Sequence, residues 1–101
     1  MKILRDRLVG KTFRSMVKSL DTCSIMFSDG SAITVYTAIK AYMRIKLTQD
    51  IVTDVTEEQK GVLLTFGEDS WILISTDDTV ISSPEIFVFQ DTDGTQIVET
   101  V

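Results

Sequence analysis

The sequence predicts a mainly β protein: a small twisted antiparallel sheet or barrel-like roll of about six to eight short strands built from hairpins, with one short N-terminal helix. Three observations carry this. A pattern of strand, polar Asp/Gly turn and strand recurs three times. Residues 37–48 alternate apolar and polar side chains, the period of a pleated strand. Helical spacing is confined to two short stretches near residues 3–9 and 53–60.

Taken in order, Ile3 to Val9 reads as a helix with Ile3, Leu4 and Leu8 on one side and Gly10 as its stop. Thr12 to Leu20 reads as a strand. The first hairpin spans Ile25 to Val35 around Ser28-Asp29-Gly30-Ser31, where Asp and Gly suit a tight turn. In 37–48, Ile39, Ala41, Met43, Ile45 and Leu47 fall on one face and Lys40, Tyr42, Arg44, Lys46 and Thr48 on the other. Thr53 to Lys60 reads as one helical turn, with Asp54 as N-cap, Glu57 and Glu58 early, and Gly61 as terminator.

The second hairpin, Leu64 to Ile74, aligns with the first: Phe66 matches Phe27, Ser70 matches Ser31 and Ile72 matches Ile33. The match has two readings, an internal duplication and generic turn chemistry, and the second is favoured because Asp/Gly hairpins arise readily. Here Val62, Leu63 and Leu64 oppose Trp71, Ile72, Leu73 and Ile74, so both faces are apolar, as in strands covered on two sides. The N-terminal helix or a partner subunit is expected to cover the second face. Pro84 precedes a strand from Glu85 to Phe89, and a looser third hairpin turns at Asp91-Thr92-Asp93-Gly94.

At 101 residues the chain is expected to form a single domain over 1–101. No apolar run approaches the roughly 20 residues of a membrane helix, and charges at Lys2, Arg5, Asp6 and Arg7 interrupt the stretch a signal peptide needs. A single cysteine, Cys23, fits a reducing compartment, so a cytoplasmic location without membrane contact is expected. Cys23 alternates with Ile25 and Phe27 and reads as a small core hydrophobe.

Charge is split along the chain. Residues 1–46 hold nine bases and three acids, net +6, and residues 47–101 hold one base and twelve acids, net −11. Chemistry is sparse by contrast. The chain has no histidine and one cysteine, which removes the commonest general base, the commonest neutral metal ligand and any thiolate cluster. Phosphate-cradling glycine loops and the Gly-x-Ser-x-Gly elbow are missing. Paired acids could in principle hydrolyse glycosides, but these sit in expected loops beside other acids, where none is desolvated. Asp91-Thr92-Asp93-Gly94 resembles a calcium-loop fragment but puts Phe89 and Thr100 at ligand positions. No enzyme activity, cofactor or metal is expected.

Two surfaces stand out. Glu57, Glu58, Glu68, Asp69, Asp77 and Asp78 form an acidic set suited to docking a basic protein, with Trp71 as a possible anchor, although core packing is the favoured reading of that tryptophan. Lys40, Tyr42, Arg44 and Lys46 form a basic strand face with an aromatic residue for stacking bases, which Arg5, Arg7, Lys11, Arg14 and Lys18 could join. A pI near 4.5 argues against nucleic acid as the main partner. The sequence thus predicts a non-catalytic protein-binding domain, an acidic inhibitor of the immunity type or a phage-encoded modulator of a basic or nucleic-acid-handling protein. The alternatives are a structural protein that forms a homo-dimer or higher oligomer, and weak RNA or single-stranded DNA binding through the basic face.

Overall fold

A computed structural model describes residues 2–43, 51–76 and 85–100. Among these residues one helix, α1 (Lys2–Leu8), precedes nine strands: β1 (Phe13–Lys18), β2 (Cys23–Phe27), β3 (Ala32–Val35), β4 (Ile39–Tyr42), β5 (Val52–Glu58), β6 (Gly61–Phe66), β7 (Ser70–Ser75), β8 (Glu85–Gln90) and β9 (Gln96–Thr100). They form two antiparallel sheets, ordered β1-β2-β3-β8-β9 and β4-β7-β6-β5. The mainly β class and the N-terminal helix agree with the sequence prediction. The strands do not close into a barrel.

Alternation in the hairpins builds the core. Ile25, Phe27, Ile33, Val35, Phe87 and Phe89 of one sheet and Val62, Leu64, Phe66, Ile72 and Ile74 of the other are fully buried in one cluster. Phe13 and Phe66 bring the two sheets together edge to face, with ring centroids 5.6 Å apart. Helix α1 adds Leu4 and Leu8, four residues and hence one turn apart, and Gly10 (φ +96°) ends it. The sheets also join at one corner: Thr12 bridges Ile51, the Gly10 amide donates to the Val52 carbonyl at 2.9 Å, and the Val52 amide donates to the Lys11 carbonyl at 2.9 Å.

The helical turn expected over 53–60 is a strand. A bulge between Val52 and Asp54 adds a residue to β5, so Val52 and Val55, three apart, both point inward. That i, i+3 spacing imitates a helix face. Asp54 does accept from the next amide, Val55, at 2.9 Å, but in an extended segment. This strand also accounts for a count one above the expected range.

Within the alternating segment 37–48, Ile39–Tyr42 is β4. It is the edge strand paired with β7, with Lys40 and Tyr42 exposed and Ile39 against the core. Residues 44–48 lie outside the described residues. The loosest of the three sequence repeats proves closest to the first in its turn. Asp29 accepts from the Ser31 amide and Asp93 from the Thr95 amide, each at 2.9 Å, with glycine at positive φ between them.

Candidate functional site

The face of β4-β7-β6-β5 turned away from the core is the candidate site. Alternation that buries Val62, Leu64, Ile72 and Ile74 must turn Leu63, Thr65, Trp71 and Leu73 outward. Leu63 and Leu73 are register partners, as are Thr65 and Trp71. Across the other edge of β7, Leu73 pairs with Lys40 and Trp71 with Tyr42. The face thus carries a leucine row and an aromatic row side by side.

These side chains line an open cleft of about 640 Å³, closed at one end by Glu58 of β5 and by Gln59 and Lys60 in the β5–β6 turn. Gly61 shapes that end. A Cβ there would stand 2.7 Å from Leu73 Cδ1 and 2.9 Å from the Ile74 carbonyl oxygen, so glycine is what lets the Leu73 side chain lie over the strand. On the far side of Leu73 a smaller cleft is lined by Ala38, Lys40, Lys60 and Ser75. Trp71 is 37% exposed and Tyr42 54%. The favoured reading of Trp71 as a core side chain is therefore corrected, because its strand position points out of the sandwich. Helix α1 does not cover this face either: Leu4 and Leu8 are inside the core and the helix packs against β5.

The acidic set is not one surface. Glu57 and Glu58 end β5, whereas Glu68 and Asp69 sit in the β6–β7 turn. The six-residue strand β6 separates the two pairs by roughly 20 Å. Asp77 and Asp78 lie outside the described residues. Of the basic strand face, Lys40 and Tyr42 are exposed beside Trp71, and Arg44 and Lys46 lie outside the described residues.

Part of the opposition between the two halves of the chain is consumed inside the molecule, through Arg5, Arg7 and Lys11. Arg5 Nε donates to Asp54 at 2.7 Å, Arg7 Nη1 donates to Asp91 and Asp93 at 3.0 Å each, and Lys11 Nζ donates to Asp91 at 3.0 Å and also to Asp29. These three cations therefore do not join Lys40 in a basic patch. Partial burial alone would raise the Asp29 carboxyl, but Lys11 and the Ser31 hydroxyl and amide outweigh it and hold it at about 2. Asp91 is lowered in the same way: burial is outweighed by the Thr92 amide, Lys11 and Arg7. The Thr95 amide and hydroxyl, with Arg7, lower Asp93.

These contacts occupy the carboxylates of the Asp91–Gly94 turn, and among the described residues no group of acids and thiols is arranged to hold a metal ion. Cys23 is buried, and burial pushes its thiol pKa up against the pull of Lys18. No helix among the described residues is long and apolar enough to cross a membrane. The sequence signals for this face were the doubly apolar second hairpin, Trp71 as a candidate anchor, and Lys40 and Tyr42 on the alternating strand. Comparison of the chain with protein-family models, with curated proteins and with solved structures finds no match.

Proposed function

We propose that this protein is a non-catalytic binding module that engages a protein partner through the outer face of β4-β7-β6-β5. The observation that carries the reading is the cleft of Leu63, Trp71 and Leu73, an apolar surface on the solvent side of a sheet whose other side is buried in the core along β6 and β7. Contiguous exposed apolar surface with a charged rim marks interaction sites in soluble proteins. A flat, apolar floor with an exposed tryptophan supplies contact area at little conformational cost.

Glu58 at one end of the cleft, and Glu68 in the turn beyond the other end of β6, favour a partner that brings cations to the rim, and steer it electrostatically. Occupying a basic partner's surface in this way is how a small acidic inhibitor acts. Nucleic acid is a second reading, supported by the Tyr42–Trp71 pair as a stacking platform beside Lys40. Glu58, which lines the cleft, opposes a phosphate backbone.

The test is Leu73→Glu in the tagged full-length chain. A protein retained by the wild type at a fixed ratio and lost by the variant, with an unchanged circular dichroism spectrum, supports the reading. Equal retention by both rejects it. Quenching of Trp71 fluorescence by oligo(dT), abolished by Lys40→Glu, would shift the assignment to nucleic acid.

A further inference from the structure

The reading above asks for a partner that presents apolar side chains and cations together. This chain presents both on the face in question. Lys40 and Lys60 flank Leu73, and among the described residues neither they nor Glu68 take part in an ion pair. We propose that the occupant of the cleft is a second copy of this chain, packed face to face about a two-fold axis that lies across the strands at the level of Leu64. The proposal rests on the binding-module reading and names its partner.

The register of the sheet supports that axis. Ala41, Ile72 and Leu64 form one row across β4, β7 and β6. The outward residues lie one step to each side: Lys40, Leu73 and Leu63 in one row, Tyr42, Trp71 and Thr65 in the other. A two-fold axis along the central row reverses strand direction and exchanges the two outward rows. Leu73 then lies against the second copy's Trp71, and Lys40 lies over the ring of the second copy's Tyr42, a cation–π geometry. The ends match as well. Lys60 and Glu68 stand four residues either side of Leu64, in the turns that close β6. The same operation places Lys60 against the second copy's Glu68, and symmetry makes that contact twice.

The apolar rows therefore meet each other while the charged ends pair with opposite sign. Sheets that pack face to face keep their strands within about 30° of alignment, which this arrangement allows. A nucleic acid in the same place would leave Glu68 and Glu58 facing phosphate, and a basic protein would leave Lys60 facing a like charge.

The experiment is sedimentation equilibrium of the full chain from low micromolar to several hundred micromolar. The expected species has twice the 11.3 kDa chain mass. Lys60→Glu and Glu68→Lys each replace two attractive contacts with two repulsive ones, and each should raise the dimer Kd by about 10-fold or more. The double reversal, K60E with E68K, should return Kd to within about threefold of the wild type. Mixing the two single variants should restore dimers as heterodimers. Leu73→Glu should be monomeric with an unchanged circular dichroism spectrum.

A monomer at every concentration overturns the proposal, as does a dimer whose Kd ignores both charge reversals. Should Leu73→Glu fail to fold, the charge reversals at exposed side chains decide alone. A wild-type monomer that still captures another protein in a Leu73-dependent way overturns the second copy and leaves the binding-module reading standing. Capture that ignores Leu73→Glu, by a monomeric wild type, removes both.

Discussion

Lys11 and Asp91 lie 80 residues apart in the chain and meet at 3.0 Å. Asp91 is the centre of a small network: one carboxylate oxygen takes Lys11, the other takes Arg7, and its side chain is only 9% exposed. The contact fastens the end of α1 and the segment after it to the β8–β9 turn. It also joins the basic start of the chain to its acidic end, so the charge split first serves assembly of the fold.

Asp91→Ala should destabilise the protein by about 1–3 kcal/mol, because it leaves Lys11 short of an acceptor in a partly buried place. Urea unfolding followed by circular dichroism measures this. Arg5→Ala should leave the midpoint unchanged, since its pair with Asp54 is 51% and 43% exposed and screened by water.

Acid should unfold the protein through the same network. The Asp29, Asp91 and Asp93 carboxyls are all lowered in the folded state. A lowered carboxyl adds stability above its unfolded value and loses it as pH falls through the folded value. For Asp29 that window runs from 3.8 down to about 2. The melting temperature should be flat near neutrality and fall across that interval. Lys11→Met should melt lower at pH 7 and show a shallower acid decline. Identical slopes would mean that other groups carry the effect.

Gly61→Ala should cost about 1–3 kcal/mol, the usual penalty of overpacking. The new methyl would meet Leu73 and the Ile74 carbonyl, of which only the leucine can swing aside. Because that swing refills the cleft, the variant should also weaken association through the outer face. Chemical denaturation and sedimentation read the two effects separately.

Trp71 is the only tryptophan, so its fluorescence reports on the face directly. At low concentration the emission should be red-shifted and open to quenching by acrylamide, as its exposure requires. Raising the concentration should move it to the blue and protect it. Phe66→Ala should instead cost about 3–5 kcal/mol and leave the emission of the folded fraction unchanged, because Phe66 lies wholly inside the core.

The sequence by itself determined the class, the three hairpins, α1 and most of the buried set, because alternation and turn chemistry are local. Phe27 and Phe66, matched in the sequence, are both buried, and Gly30 and Gly94 turn with positive φ beside Asp29 and Asp93. Tertiary structure decided what depends on distant partners. The bulge in β5 exists because Val52 must pair with Phe66 and Val55 with Leu64 while both valines reach one core, so local spacing alone read as helix. Trp71 stands in an apolar run whose two faces are indistinguishable until the opposing sheet claims one of them. The acidic residues looked like one surface because they are close in sequence. Strand β6 holds Glu58 and Glu68 at opposite ends, and folding brings Asp91 to Lys11 and Arg7 instead.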